Sequence, residues 1–512
     1  MPPSDASPRP SRWPKKLLLG CAFALVVFVV LLGALEGSLR LAGYGHSSLF
    51  FRHERAADGS EWLRENRWAT APFFAPELIR RPQPFRLPVT KAPRTYRVFV
   101  LGSSAAMGDP EASFSLARAL EVMLAEAHPE LHFEVVNAGI TAINSTVVRG
   151  IAADCAALSP DLFIVYEGNN EVIGPFGPGT VFTPFLSSPA AVRAAVVLKR
   201  SRTGQLLATL ARRGRSDLPE KWGGMGMFLE HGIAVDDPRL AATRELFRQN
   251  LAAIADSGRA AGASVFLCTV ATNRRGCAPF LSLHRNDLDS AALTRWRNAF
   301  DAGRAAALAG DHRSAAARFA EAAAVDDRHA KTAYRLGQEQ LQLGEIEKAR
   351  ATLQRALDLD ALRFRTDSQL NAAIRSLGHP PRAGVRVIDL AAAADADSPA
   401  GIAGDEFLYE HVHLTMRGTY RLARELCAPI EADLRHRGLV TADASAPQWP
   451  ELTVVRDRLA YTVYEQAMIV REMITRFSKQ PFTNQSDNAE RLDRYRTMDQ
   501  TATLLLQRPD AA

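Results

Sequence analysis

An uncharged apolar run near the N-terminus constrains this chain more than any other feature. The 19 residues from Leu17 to Leu35 carry no charged side chain. A helix rising about 1.5 Å per residue needs roughly 20 residues to cross a hydrocarbon layer of about 30 Å. No second run of this kind occurs in the 512 residues. The sequence therefore predicts one transmembrane helix, with the rest of the chain on one side of the membrane.

The basic residues around this run predict its orientation. Arg9, Arg12, Lys15 and Lys16 precede it, whereas Arg40 is the only Lys or Arg among the sixteen residues that follow. Since Lys and Arg accumulate in cytoplasmic segments, we expect the N-terminus in the cytoplasm and the main part of the chain outside the inner membrane. A cleaved signal peptide is the alternative, although the run is long for one and no clean small-residue cleavage site follows it.

Composition excludes several classes of protein. Hydrophobic residues make up 47% of the chain and charged residues 23%, which is typical of globular domains and excludes collagen-like, disulfide-scaffold and disordered chains. The net charge of +6 is spread along the chain, so nucleic-acid binding is not expected. The five cysteines form no CxxC pair and no cluster with metal-site spacing, so neither a metal nor a cofactor is predicted. An oxidising compartment would permit disulfides, but spacing does not assign them.

Strand patterns alternate with helical patterns over most of the chain. The predicted strands are Tyr96–Leu101, Phe133–Val136, Asp161–Tyr166, Ala263–Val270 and Val385–Leu390. Such alternation indicates an α/β fold with a doubly wound parallel sheet. Ligands of these folds bind beyond the carboxyl ends of the strands.

A repeat with a period of 34 residues lies between the last two predicted strands. Gly303 recurs as Gly337, and four further pairs keep this spacing: Gly310 and Gly344, Ala315 and Ala349, Ala322 and Ala356, and Asp326 and Asp360. The period, with small residues where two helices must touch, resembles the tetratricopeptide repeat. The resemblance implies an all-α insertion with two repeat units and a protein partner for them.

Small polar clusters follow the predicted strands where a parallel-sheet enzyme keeps its site. They are Gly102-Ser103-Ser104, Asn137-Ala138-Gly139, Gly168-Asn169-Asn170 and, beyond the fifth strand, Glu410-His411-Val412-His413. Together they supply a serine, two candidate oxyanion donors, and a histidine with a carboxylate three residues before it.

These four clusters, in this order, resemble the motifs of the SGNH hydrolase superfamily, the GDSL-type esterases and lipases. The resemblance implies a flavodoxin-like three-layer parallel sheet and a catalytic triad of Ser104 as nucleophile, His413 as base and Glu410 as its orienting acid. It also implies an oxyanion hole of the Ser104 and Gly139 amides and the Asn170 side chain. The chain departs from the family where Ser103 and Glu410 replace aspartates, and Asp405 is the alternative acid.

The complete layout resembles a group of bacterial envelope proteins. We expect a cytoplasmic tail, the membrane helix, an irregular spacer, two parts of the hydrolase domain around the repeat insertion, and a C-terminal helical extension. Their bounds are 1–16, 17–35, 36–93, 94–295 and 364–440 around 296–363, and 441–512. The expected activity is hydrolysis or transfer of acyl esters on an envelope glycan or a lipid. A non-catalytic scaffold that binds partners through the repeats is the alternative.

Overall fold

The structure, a computed structural model, describes residues 15–212, 222–441 and 445–507. The described residues divide into two compact units, one of residues 15–48 and 193–212 and the other of residues 49–192, 222–441 and 445–507. Most of the predicted cytoplasmic tail, residues 1–14, lies outside the described residues.

Helices and strands are numbered along the chain. The strands are β1 (Phe51–Arg55), β2 (Glu61–Glu65), β3 (Arg86–Pro88), β4 (Thr95–Gly102), β5 (His132–Asn137), β6 (Leu162–Tyr166), β7 (Ser264–Cys268) and β8 (Val385–Ile388). The α-helices are α1 (Lys15–Leu41), α2 (Ser104–Met107), α3 (Leu116–Ala127), α4 (Ser145–Ala156), α5 (Pro189–Arg200), α6 (Arg202–Arg212), α7 (Arg239–Ala260), α8 (Ser290–Leu308), α9 (His312–Val325), α10 (Ala330–Gln342), α11 (Ile346–Leu359), α12 (Ser368–Ser376), α13 (Leu390–Ala396), α14 (Met416–His436), α15 (Leu452–Arg458), α16 (Val463–Phe477) and α17 (Asn488–Leu506).

The first unit is built on the apolar helix α1. Residues Leu19–Leu41 form the one helix of the described chain that is long and apolar enough to cross a membrane. This helix continues past the predicted end at Leu35. Glu36 and Arg40, one helical turn apart, form an ion pair on this extra part (2.8 Å).

A five-stranded parallel sheet forms the centre of the second unit, as the alternating pattern predicts. Its strand order is β5-β4-β6-β7-β8, which is the order of flavodoxin-like doubly wound sheets. Because β5 and β6 flank β4 on opposite sides, right-handed crossovers place α3 and α4 on opposite faces of the sheet. Every residue of β4 is buried, as expected for a strand covered on both faces.

Residues 51–88 form a second, antiparallel sheet instead of the irregular spacer that the sequence analysis predicts. Its order is β1-β2-β3, and the buried Leu63 of β2 pairs with the buried Leu87 of β3. The segment is fixed to the main sheet region through the Phe50 amide, which donates to Asp154 Oδ2 (2.9 Å). The strands are only three to five residues long, which leaves too few alternations for the pattern to reveal them.

Two helical hairpins, α8 with α9 and α10 with α11, occupy the predicted insertion between β7 and β8. The repeated glycines explain why the hairpins are close-packed: a Cβ at Gly303 would lie 2.8 Å from the Phe319 ring, and one at Gly337 would lie 2.7 Å from Leu353. Both contacts join the two helices of one pair. The 34-residue period therefore corresponds to one helix pair, while the assignment to tetratricopeptide repeats stays a prediction.

Helices α15, α16 and α17 form the C-terminal extension, and a short 3₁₀ turn at Phe482–Asn484 separates the last two. This break falls inside the mostly polar stretch from Lys479 to Gln485. All five cysteines are free thiols, and all except Cys21 are buried.

Candidate active site

The turn from β4 into α2 presents a serine at the carboxyl end of the sheet. Gly102 is required here because a Cβ would lie 2.1 Å from the carbonyl oxygen of Tyr166 on the neighbouring strand. Ser103 is buried, whereas Ser104, the first residue of α2, is partly exposed. Of the two adjacent serines, Ser104 is the one that a substrate can reach.

The side chain of His413 lies next to that of Ser104. Its Nε2 atom is 2.8 Å from Ser104 Oγ, although the two residues are separated by 309 positions in the chain. The loop before α14 folds back on itself to hold the histidine, since the Tyr409 amide donates to the His413 carbonyl (2.8 Å). The second ring nitrogen, Nδ1, contacts Glu410 Oε1. The structure thus brings the three predicted triad residues into one continuous chain of contacts.

Glu410 is held as an anion although it is buried. Burial would raise its pKa, but the neighbouring His411 and His413 outweigh this and keep the pKa of Glu410 well below its ordinary value. The amides of His411 and Val412 both donate to Oε2 of the carboxylate. Oε1 is left for the ring of His413. Glu410 therefore orients the ring of His413, and the amides of its own loop hold the glutamate carboxylate in place.

The pKa values of the two histidines of the loop shift in opposite directions. Burial lowers the pKa of His413, but Glu410 and then Asp109 more than compensate, so that its pKa lies above the ordinary value. His411 is packed edge-on against the rings of Phe280 and Phe482. Its burial outweighs the attraction of Glu410 and lowers its pKa. His413 is therefore the histidine placed to exchange a proton with Ser104, whereas His411 packs among the rings of Phe280 and Phe482.

Glu410, His411 and His413 are also the candidate metal ligands among the described residues. One ligand atom from each lies within 4.8 Å of the others. However, Glu410 engages Nδ1 of His413, and Ser104 engages its Nε2. The contacts therefore fit a hydrogen-bonded relay better than a metal site.

The predicted oxyanion donors lie on the loops after β5 and β6. Gly139 packs directly on α2, since a Cβ would lie 2.5 Å from the amide nitrogen of Met107. Its amide donates to Asn137 Oδ1 (3.1 Å). The Asn170 side chain is buried and donates one Nδ2 proton to the carbonyl of Ile143 (2.9 Å). Among the described residues, the second Nδ2 proton of Asn170 has no acceptor and could donate to a ligand. The Gly139 amide could do so only by giving up its hydrogen bond to Asn137 Oδ1.

Asp109 and Arg476 are site residues that the sequence analysis missed. Asp109 Oδ2 lies 3.3 Å from Nε2 of His413. Arg476, on α16 of the C-terminal extension, forms a bidentate ion pair with Asp109, in which each of its two terminal nitrogens donates to one carboxylate oxygen. The extension therefore reaches the site, a question the sequence leaves open. No local pattern identifies Arg476, but Asp109 stands five residues after the nucleophile in a turn.

Two buried glutamates lie beneath the site. Glu171 accepts hydrogen bonds from the amide (2.8 Å) and the hydroxyl (2.7 Å) of Ser145, and burial raises its pKa to about 7. Burial raises the pKa of Glu167 well above its ordinary value, and the charge of Glu171 adds to this. The Gly168 amide donates to Glu167 (3.0 Å). Burial and the charge of Glu171 both favour the neutral form of Glu167.

Asp405, the alternative acid, is engaged elsewhere. It accepts a hydrogen bond from Asn273 Nδ2 (2.7 Å) and pairs with Arg494 of α17 (2.6 Å). Asp405 thus joins its own loop to helix α17 of the extension. The structure thus places Glu410, not Asp405, on the ring of His413.

No family model, curated protein or solved structure matches the chain.

Proposed function

We propose that this chain is a serine hydrolase that cleaves or transfers acyl esters. The observation that carries the proposal is the unbroken relay from the Ser104 hydroxyl through both nitrogens of His413 to the buried Glu410 carboxylate. A nucleophile, a base within hydrogen-bond distance of it, and a third group that orients the base are the recurring parts of nucleophilic acyl transfer.

The reaction has two halves. In the first, His413 Nε2 takes the proton of Ser104 as Oγ bonds to the ester carbonyl carbon, and the same proton then goes to the departing alkoxide. In the second, His413 takes a proton from water or from a sugar hydroxyl as the oxygen of that group bonds to the acyl carbon. His413 then gives this proton to Ser104 Oγ as the bond between Ser104 and the acyl group breaks. Water gives a carboxylic acid, and a hydroxyl gives a new ester. Glu410 stabilises the imidazolium in both halves.

The tetrahedral oxyanion needs hydrogen-bond donors, and Asn170 supports this role with the free proton of its buried amide. One such donor contributes about 2.7–4 kcal/mol to transition-state stabilisation. The amide of Ser104, at the first turn of α2, has no partner within the helix because of its position. We assign these two groups, with the Gly139 amide, to the oxyanion hole.

For location and substrate, the apolar helix α1 supports a membrane anchor. With the N-terminus in the cytoplasm, the active domain would face the periplasm of a bacterium. Acyl groups on an envelope glycan are our preferred substrate, with lipid esters next. The two helical hairpins are proposed as the site of a protein partner.

The test uses the full chain in nanodiscs with short-chain p-nitrophenyl esters and a fluorophosphonate probe. We expect turnover and labelling in the wild type, and loss of both in Ser104→Ala. His413→Ala should lose turnover. Ser103→Ala is the matched control, because its buried hydroxyl lies next to the nucleophile but outside the relay. Activity should also survive a metal chelator.

Absence of both turnover and labelling in a folded wild-type chain would contradict the proposal. It would favour the non-catalytic scaffold, and the next experiment would be partner capture by the helical hairpins.

A further inference from the structure

Helix α6 is attached to the end of the apolar helix. The Glu36 carboxylate accepts hydrogen bonds from the amides of Arg202 (3.1 Å) and Thr203 (2.9 Å) and from the Thr203 hydroxyl (3.0 Å). This carboxylate therefore caps the first turn of α6, where unpaired amides and the helix dipole favour a negative charge. The start of α6 is fixed at the level where the uncharged run ends.

The chain that leaves α1 then follows α6. Gln205 exchanges two hydrogen bonds with the backbone of His46, each 2.9 Å long. Further along, the Tyr44 hydroxyl contacts the Thr209 hydroxyl (3.4 Å). Helix α6 is thus held along its length by the residues next to the membrane span, within the same compact unit.

Large apolar side chains of this unit are exposed beside the span. The exposed fractions are 71% for Val197, 51% for Leu198, 53% for Leu207 and 50% for Leu210. Leu41, the last residue of α1, is 92% exposed. Leu207 and Leu210 are three residues apart and therefore share one face of α6. Exposed apolar side chains on one face are unfavourable in water and mark a surface that is covered in use.

The same segment is strongly basic. Between Pro189 and Ser216 there is no Asp or Glu, whereas the chain has seven basic residues there. Five of them, Arg193, Lys199, Arg200, Arg202 and Arg212, lie within residues 193–212, and Arg213 and Arg215 follow outside the described residues. A helix with exposed leucines and only basic charges is typical of elements that lie in the headgroup region of an anionic leaflet.

We infer that residues 193–212 form a membrane-surface element that binds the anionic headgroups of the leaflet from which α1 emerges. A second copy of the chain would be a poor occupant of this surface, because the basic segments would repel each other. An anionic lipid surface offers negative charge to the basic side chains of the segment. Its hydrocarbon layer lies close enough to the headgroups for the exposed leucine side chains to reach it. The inference rests on α1 crossing a membrane and is independent of the proposed esterase activity.

The test places an environment-sensitive fluorophore on the full chain in single-copy nanodiscs. The labelled variants are Leu207→Cys and Leu210→Cys, in a Cys21→Ser background, since the other native cysteines are buried. Leu308→Cys is the matched control, because this leucine is 87% exposed on α8 of the other unit. The discs contain either phosphatidylcholine alone or an equimolar mixture with phosphatidylglycerol, each with and without a quencher on the lipid chains.

We expect emission at shorter wavelength and several-fold stronger lipid quenching for the two α6 labels than for the control, with less quenching in the zwitterionic discs. Solvent-like emission at α6, or equal lipid quenching in both kinds of disc, would overturn the inference. Shielded emission without lipid quenching would also overturn it, because protein would then cover the leucines. A label on the native Cys21 reports separately whether α1 is inserted.

Discussion

Oδ2 of Asp109 lies 3.3 Å from Nε2 of His413, the ring nitrogen that also contacts the Ser104 hydroxyl. Two groups therefore compete for one nitrogen. A carboxylate in this place stabilises the imidazolium before any substrate is bound. Arg476 limits the effect, because it holds Asp109 by two hydrogen bonds. The protonation of His413, the proposed base, thus depends on a residue from the C-terminal extension.

Asp109→Asn should shift the acidic limb of the kcat/KM profile to lower pH. The base must be neutral to accept the serine proton, so activity is lost as the pH falls through the pKa of His413. Burial lowers that pKa, whereas Glu410 and Asp109 raise it; without the Asp109 charge, the pKa falls and activity persists to lower pH. The measurement is a pH–rate profile with a p-nitrophenyl ester. Glu472→Gln is the control, since Glu472 pairs with Arg476 (2.8 Å) but is not a partner of His413.

Arg476→Met should shift the same limb in the opposite direction. The positive charge of Arg476 lowers the pKa of His413 and also neutralises Asp109, so its removal favours the imidazolium. The acidic limb then moves to higher pH, with little change in the plateau of kcat. Equal profiles for the variant and the wild type would show that the extension does not tune the base.

Glu410→Gln should lower kcat by about 10³–10⁴, because the amide cannot stabilise the imidazolium or fix the ring tautomer in the same way. Asp405→Asn, on the neighbouring acid that pairs with Arg494, should retain most of the activity. Steady-state kinetics of the two variants side by side check the assignment. Loss of activity in Asp405→Asn alone would reverse it.

Asn170→Ala should lower kcat by about 10²–10³ while KM changes little, because an oxyanion donor acts mainly in the transition state. The side chain also bonds to the Ile143 carbonyl, so a thermal melt must accompany the kinetics. A fall in kcat with an unchanged melting temperature supports the assignment. A folded variant with wild-type kcat contradicts it.

Glu167→Gln should protect the fold at alkaline pH. The folded-state pKa of Glu167 is raised above its unfolded value, so the stability it contributes is present at low pH and lost as the pH rises through the folded pKa. Because burial raises the pKa of Glu167, we expect the loss to begin above the ordinary pKa range of a glutamate and to grow as the pH rises further. The amide imitates the neutral acid and keeps the acceptor for Gly168. The melting-temperature difference between variant and wild type should grow with pH; a constant difference would contradict this.

Local patterns predicted the central part of this molecule. Runs of buried β-branched and aromatic residues indicate strands such as β4 and β6 without any knowledge of their partners. Polar residues at the ends of parallel strands share one edge of the sheet, so a site at that edge could be predicted from the strand pattern. The roles of Ser104, His413 and Glu410 within it come from the resemblance of their motifs to those of SGNH hydrolases.

The remaining features depend on packing that no local pattern encodes. Arg476 is an ordinary helical arginine until α16 lies beside the turn that holds Asp109. The short strands of residues 51–88 are recognisable only through their pairing. The acidic groups Glu167 and Glu171 acquire raised pKa values because the loop after β6 is buried, which their sequence does not indicate.

The distance in sequence between Ser104 and His413 also sets an order in time. A ribosome adds roughly 5–20 residues per second, so the 309 positions between them separate the appearance of the two residues by about 15–60 s. During this interval β4 and its neighbours can form a sheet with the serine in place but without a base. Any catalytic activity is therefore a late property of the nascent chain, acquired only after the helical insertion has been made and bypassed.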